Sequence, residues 1–352
     1  MNNVVVMAFT SKGYALAEKI AGILFDAGFN TSAHRVSALK EFVRTVYKKG
    51  NILIFVGSAG IAVRGIAGLI KDKTTDPAVI VIDELGRYVI PILSGHIGGA
   101  NRFAEKLSGL IHAEPVITTA TDINKIFSVD AYAVQNRYTV ANPEYIKYIS
   151  GALLDGQEVG LHTPFEISGK LPDNIVLKSN GNVGISIDKI DKIDKNDKND
   201  TNNSIAPFAK TLKLIPKCFH VGIGAKRNIR YDVLHDYFLE TLSKESIPIS
   251  CVGSVSSIDL KKDEEAIVKL AETYDIDFLT YSAGQLKIYE HLFGQSDFVR
   301  KTTGVGNVCE TAAYLSSGKG DIIAEKRAGN GMTIAIAKEV WRVVFENTDD
   351  RA

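Results

Sequence analysis

The chain is short of cysteine, of net charge and of long apolar runs, and each shortage removes a class of function. Cys218, Cys251 and Cys309 are the three cysteines among 352 residues. They are scattered, odd in number and without CxxC spacing, which argues against a disulfide framework and a structural zinc site and leaves buried thiols. Basic and acidic residues balance at 41 each. No global field therefore gathers nucleic acid or an anionic membrane, although local basic patches survive the balance. No apolar stretch reaches the roughly 18 residues that a bilayer requires. The opening MNNVVVMAFTSKG lacks a basic region followed by a cleavable apolar segment, so the expected location is the cytoplasm.

Several sequence signatures are missing too. The dinucleotide fingerprint GxGxxG is left incomplete at Gly222 and Gly224, where Arg227 stands in place of the third glycine. Gly57-Ser58-Ala59-Gly60 and Gly304-Val305-Gly306 do not complete it either. No GxxxxGK[ST] phosphate loop, HExxH or His-rich cluster occurs, and Leu93-Ser94-Gly95 lacks the first glycine of a GxSxG elbow. P-loop, zinc-protease and serine-hydrolase readings are thereby weak.

What is present is a repeated strand–helix rhythm in a chain long enough for two domains, with an ordinary hydrophobic share of 45% and charged share of 23%. The spacing predicts strands over 3–9, 31–36, 52–56, 78–83, 88–93 and 115–120, with helices over 14–27, 38–48 and 102–111. The rhythm resumes at Phe219, with strands over 219–223, 249–255 and 277–281, helices over 231–244, 264–274 and 309–315, and a closing pair of strands over 321–326 and 332–337. The fold class is α/β. It comprises two separate α/β domains: an N-terminal one, 1–125, with a doubly wound, mostly parallel sheet, and a smaller C-terminal one, 217–345. A less regular middle segment, 126–216, joins them. Inside it, residues 188–203 form a low-complexity Asp/Lys/Asn tract read as a solvated insert.

Four glycine loops leave strands or open helices: Gly57-Ser58-Ala59-Gly60, the Ser94–Asn101 loop with Gly98 and Gly99, Gly222–Gly224, and Gly304–Gly306. Helix starts offer unpaired N–H groups and a partial positive charge, and glycine lets an anionic ligand approach. Each glycine could equally serve only a tight turn. Basic residues recur beside the loops: Arg64, Lys71 and Lys73 at the first, Arg102 at the second, Lys226, Arg227 and Arg230 at the third, Arg300 and Lys301 at the fourth. The coincidence suits a ligand carrying many carboxylates, bound in the cleft expected between the domains. His96, in the second loop, is the candidate acid or base, with a structural histidine as the plainer reading. Asp76 and Asp83 flank a strand and could orient it; Glu310 is a further acidic candidate for which capping is the preferred role.

The stretches FVGSAGIAVR, TTDPAVIVIDELGRYVIPILSGHIGGAN and PVITTATD resemble the N-terminal part of the CbiG family of cobalt-precorrin-5A hydrolases. GIGAKRN, TTGVGNVCETAAYL and IIAEKRAGNGMTIAIA are similar to that family's C-terminal domain, which also occurs alone as CobE. The resemblance covers both ends of the chain in order and leaves the middle unmatched. It implies a hydrolase of anaerobic cobalamin biosynthesis that opens the δ-lactone of cobalt-precorrin-5A and releases acetaldehyde to give cobalt-precorrin-5B. The substrate would be a polycarboxylate cobalt-tetrapyrrole that brings its own cobalt, with no cofactor or metal of the protein's own, no nucleic acid and no membrane partner; homodimerisation is left open.

On that implication His96 handles protons and Asp83 or Asp76 orients it. The N–H groups of Gly98 and Gly99, or of Gly57 to Gly60, meet an oxyanion. Arg64, Arg102, Lys226 and Arg227 hold peripheral carboxylates, with Ser58, Ala59, Gly60, Ser94, Asn101, Gly222, Gly224, Gly304 and Gly306 lining the substrate. Two other readings stand beside it: a tetrapyrrole carrier without turnover, and a nicotinamide enzyme with a degenerate glycine loop.

Overall fold

The computed structural model describes residues 3–72, 75–188 and 207–345. The low-complexity tract beyond Asp188 lies outside the described residues. The chain divides into two compact units, one of residues up to Val134 with Leu153–Gly156, the other of Gln135–Ala152 with Gln157 onward.

The first unit opens with β1 (Asn3–Ala8), α1 (Ser11–Asp26), β2 (Asn30–Arg35), α2 (Leu39–Val46), β3 (Ile52–Val56) and α3 (Ala59–Ile66). It continues with β4 (Ala78–Ile82), β5 (Tyr88–Leu93), α4 (Ala100–Ile111), the two-residue β6 (Glu114–Pro115), α5 (Ala120–Ile123) and α6 (Val129–Gln135). The strands form one sheet in the order β2-β1-β3-β4-β5-β6. Ile52–Val56 and Ala78–Ile82 are buried at every position, as continuous apolar runs must be when helices cover both faces. Alternate residues serve different layers. Val4, Val6, Ile52, Ile54, Ile80 and Ile82 meet Ile20 and Leu24 of α1 and Phe103 and Leu107 of α4. Val5, Met7, Leu53, Phe55, Val79 and Val81 meet Val43 of α2 and Ala62 and Ile66 of α3. Two faces each clad by helices make the sheet doubly wound.

One pairing governs where the loops go. β1, β2, β3 and β4 run parallel, but β5 is antiparallel to β4, with Ile82 opposite Val89 and Val79 opposite Leu93. The cause is the short turn between them, closed by Asp83. Its Oδ1 accepts from the Arg87 N–H at 2.7 Å and the Tyr88 N–H at 2.8 Å, and its Oδ2 from the Leu85 N–H at 3.1 Å. A hairpin of this length cannot make a parallel crossover.

The second unit holds two larger sheets. The described residues of the middle segment, 126–188 and 207–216, are more regular than their composition suggests. β7 (Tyr138–Val140), α7 (Ile146–Leu154), β8 (Val159–His162), β9 (Ile167–Gly169), β10 (Ile175–Leu177), β11 (Gly181–Ile187) and β12 (Phe208–Pro216) supply a sheet ordered β10-β8-β11-β12-β7. Its pattern was obscured because Gly160 and Gly184 leave room for one aromatic ring. A Cβ on either would come within 2.2 or 2.3 Å of Phe208, so these strand positions carry no side chain to alternate.

The C-terminal part runs β13 (Phe219–Ala225), α8 (Tyr231–Lys244), β14 (Val252–Ile258), α9 (Glu265–Tyr274), β15 (Asp277–Tyr281), α10 (Ala283–Tyr289), α11 (Asp297–Thr303), α12 (Cys309–Ser316), β16 (Asp321–Gly329), β17 (Met332–Lys338) and β18 (Val343–Phe345). Its sheet is ordered β15-β14-β13-β17-β16, and β18 pairs with β9. The strand expected over 115–120 is confined to Glu114–Pro115, and residues from Ala120 turn into α5. Among the described residues no helix is long and apolar enough to cross a membrane.

Candidate functional site

The antiparallel β5 sends the Ser94–Asn101 loop to the sheet edge where β3 and β4 begin, whereas Gly57–Gly60 leaves the edge where β3 ends. Five residues of strand separate those edges, about 13–16 Å. The two loops therefore lie at opposite edges of the sheet and do not border one site. The edge near Leu93 holds Ser94, His96, Gly98, Gly99, Asn101 and Asp76; the other edge holds Gly57, Ser58, Ala59, Gly60, Arg64 and Asp83.

The His96 loop is tightly built. Ser94 adopts φ +56°, uncommon for a residue with a side chain, and its Oγ donates to the Asp76 carbonyl at 3.0 Å. A Cβ on Gly98 would lie 2.4 Å from that of Ser94, so the loop can close over itself only with glycine there. Gly99, at φ +77°, caps α4. The N–H groups of Gly99, Ala100 and Asn101 donate to the carbonyls of His96, Ser94 and Gly95. The Gly99 N–H is thus already engaged and is not a free oxyanion donor.

His96 lies between two carboxylates. Its Nε2 is 3.0 Å from Asp122 Oδ2 and 3.2 Å from Thr121 Oγ1; its Nδ1 is 3.2 Å from Asp130 Oδ1 and from Ser128 Oγ. Ser128 Oγ donates to Asp130 Oδ1 at 2.6 Å, and Asn101 Nδ2 donates to Asp122 Oδ2 at 2.6 Å and to Thr119 Oγ1 at 3.0 Å. The hydrogen bond to Asp130 is the strongest influence raising the imidazole pKa above its ordinary value. Burial opposes it, and Asp122 adds to it. A ring with an anion at each nitrogen is favoured in its doubly protonated form.

The orienting carboxylates are Asp122 and Asp130, where Asp76 or Asp83 was expected. Asp76 is 5% exposed, and its oxygens accept the Lys71 N–H at 3.0 and 3.1 Å. Asp83 is spent on the hairpin turn. Neither helix around His96 announces its carboxylate in the sequence, because an acid near the start of a short helix reads as a cap. The one signal available was Asp122 at the end of PVITTATD.

At the other edge, α3 opens at the switch between β1 and β3, a usual anion-binding position in this sheet order. The Gly57 N–H is committed to Ile82, while Ser58, Ala59 and Gly60 begin the helix and the Arg64 guanidinium turns back to 3.8 Å from where a Gly60 Cβ would stand. This edge can hold a carboxylate, but its own acids are engaged, Asp83 by the N–H groups of the hairpin turn and Glu84 by the Thr10 hydroxyl.

In the second unit the glycines are explained largely by packing. A Cβ on Gly222 would fall 1.8 Å from the Cys309 carbonyl oxygen, so α12 rests directly on β13, and one on Gly224 would lie 2.6 Å from Thr333 Oγ1. Gly304 is the left-handed cap of α11 at φ +79°. The Gly306 N–H donates to Glu290, whose Oε1 pairs with Arg300 at 3.0 Å. Burial works against Glu290's charge, but the Gly306 N–H and Arg300 outweigh it and leave the carboxyl below its usual range. Glu310, 6% exposed, takes the Asn307 side chain at 2.5 Å and the Lys326 N–H of β16 at 3.1 Å, while the Asn307 side chain accepts the first N–H groups of α12. Lys226 and Arg227 are exposed and join no ion pair among the described residues.

A further network, with a buried histidine at its inner end and a half-exposed arginine at its outer end, ties the two sheets of this unit together. His220, 1% exposed, sits between Ser254 Oγ at 2.8 Å and Glu339 Oε2 at 3.1 Å, and Arg137 donates to both oxygens of Glu339 at 3.0 Å. Burial again opposes the charge on Glu339, while His220 and Arg137 prevail and depress its pKa.

Comparison with known proteins places both ends of the chain. Residues 41–122 match the family described as Cobalamin synthesis G N-terminal, and residues 219–337 the one described as Cobalamin synthesis G C-terminus. The cobalt-precorrin-5A hydrolase of Salmonella typhimurium is 32% identical over 344 residues, covering 95% of this chain and 97% of that protein. The cobalt-precorrin-5A hydrolase of Priestia megaterium is 31% identical over 306 residues, 85% of this chain and 82% of that protein. A probable cobalt-precorrin-5A hydrolase of Methanocaldococcus jannaschii is 26% identical over 346 residues, with 95% and 98% covered.

Proposed function

The chain belongs to the CbiG family, and on that premise we infer that it is a cobalt-precorrin-5A hydrolase of anaerobic cobalamin biosynthesis. It opens the δ-lactone and releases the two-carbon unit as acetaldehyde, giving cobalt-precorrin-5B. The observation that carries the reading is 32% identity to the Salmonella typhimurium hydrolase across 95% of the chain.

The two chemical steps make different demands. Lactone opening needs water directed at an acyl carbon and a proton for the departing alkoxide. Expulsion of acetaldehyde needs the released hydroxyl deprotonated while the carbon–carbon electron pair enters the macrocycle. We place both at the His96 loop because it gathers an imidazole and two carboxylates, one of them a third exposed. Cobalt is assigned to the substrate, and the exposed Arg102 in the first turn of α4 is assigned to a peripheral carboxylate.

Purified protein incubated with cobalt-precorrin-5A should release acetaldehyde in step with loss of substrate. A carrier would bind the corrinoid, seen as a shift in its visible spectrum, and release none. His96→Ala should lower turnover by roughly 10² to 10⁴ while corrinoid binding persists, the loss expected when acid–base catalysis at this loop is disabled. Wild-type turnover in that variant would remove the His96 loop from the reaction.

A further inference from the structure

We propose that Asp122 is the catalytic residue that exchanges protons with the substrate, and that His96 and Asp130 stand behind it as positioning residues. The proposal rests on the His96 loop being the reaction centre and assigns the work within it.

Three observations separate the roles. The first is exposure: the Asp122 side chain is 34% exposed, that of His96 15% and that of Asp130 10%, so the line Asp130–His96–Asp122 runs from interior to solvent. The second is the division of Asp122's own oxygens. Oδ2 receives both His96 Nε2 at 3.0 Å and Asn101 Nδ2 at 2.6 Å, whereas Oδ1 makes no hydrogen bond among the described residues. One oxygen fixes the carboxylate and the other is left for a ligand. The third is that His96 has no such vacancy. Each ring nitrogen already faces a carboxylate and a hydroxyl, Thr121 on one side and Ser128 on the other. A substrate hydroxyl would have to displace one of them to reach the ring.

The charged groups facing His96 are Asp122 from α5 and Asp130 from just inside α6; α4 contributes the neutral Asn101. Asp130 Oδ1 is held by Ser128 and by the Ala131 N–H at 3.0 Å, so it is a fixed anion that turns the ring and favours its cationic form. The ring in turn sets Asp122, because its Nε2 meets Oδ2 and leaves Oδ1 turned away from the imidazole.

The steps balance with one carboxylate. In lactone opening the water oxygen bonds to the acyl carbon, the acyl carbon–oxygen bond breaks, and Asp122 passes the water's proton to the departing alkoxide. In expulsion Asp122 takes that hydroxyl proton as the carbonyl of acetaldehyde forms. The carbon–carbon electron pair moves into the macrocycle, and the proton is returned to the ring carbon that lost the substituent.

Isosteric Asp122→Asn and Asp130→Asn separate the roles, each assayed for acetaldehyde release across pH and for His96 titration by NMR of protein labelled at histidine nitrogen. Asp122→Asn should lose roughly 10² to 10⁴ in kcat at every pH with corrinoid affinity retained, and Asp122→Glu should recover part of the loss. Asp130→Asn should retain more activity, lower the His96 titration midpoint, and move the pH–rate profile by the same amount. Wild-type kcat in Asp122→Asn, or an unmoved His96 midpoint in Asp130→Asn, overturns the assignment. If His96→Ala is inactive while Asp122→Asn is fully active, the site stands and only this division of labour falls. Full activity in His96→Ala and Asp122→Asn alike would mean that the site itself was misplaced.

Discussion

Gly222→Ala decides whether the third glycine loop serves a ligand or the core. The added methyl would stand 1.8 Å from the Cys309 carbonyl oxygen, 2.7 Å from its carbon and 2.9 Å from the Ala313 nitrogen. All three are backbone atoms of α12, so no flexible side chain can swing away; the helix must lift from β13. Overpacking of a close-packed interior costs about 1–3 kcal/mol, and a backbone clash belongs at the top of that range or beyond. For a unit of 150–250 residues each kcal/mol is about 2–4 °C, so a Tm drop of roughly 6–12 °C is expected for about 3 kcal/mol. Differential scanning fluorimetry reads the drop, and a corrinoid titration well below the new Tm should give affinity within about twofold of wild type. An unchanged Tm with weakened corrinoid binding would refute the packing argument and return Gly222 to the substrate.

Glu339→Gln should destabilise the second unit by about 1–3 kcal/mol at neutral pH, because buried His220 loses a charged partner. Its folded pKa is depressed, so the contribution is present above the ordinary carboxylate value of about 4.3 and is lost as pH falls through the folded value; urea midpoints of variant and wild type should converge in acid. His96 has the opposite sign. Its raised pKa stabilises the first unit fully below about 6.5, and the benefit fades as pH rises through the folded value. The gap in urea midpoint between wild type and His96→Gln should therefore be wider at pH 6 than at pH 9. Arg102→Ala should raise KM about two- to fivefold with kcat kept, as for loss of one exposed ionic contact, while Arg64→Ala, at the opposite sheet edge, should change neither. Equal effects of the two would contradict the separation of edges.

By itself the sequence determined the family and most elements of the two end portions, though not those of the middle segment. Unbroken apolar runs such as Ile52–Val56 can only be strands covered on both faces, and the spacing of Ile20, Leu24 and their neighbours can only bury one side of a helix. Family-bearing stretches such as TTDPAVIVIDELGRYVIPILSGHIGGAN stand in the chain as contiguous words. The antiparallel turn of β5 was also within reach, since the few residues between Ile82 and Tyr88 permit nothing else. Only the tertiary structure decided what meets what. Asp122 lies 26 positions from His96, and no local period relates an acid in one short helix to a loop histidine before α4. Gly222 shows why a glycine beside basic residues misled: side-chain volume and φ are read locally, but the Cys309 carbonyl that forbids a Cβ arrives from a helix far along the chain. Propensity is a property of neighbours in sequence, whereas a proton relay and a close backbone approach belong to neighbours in space.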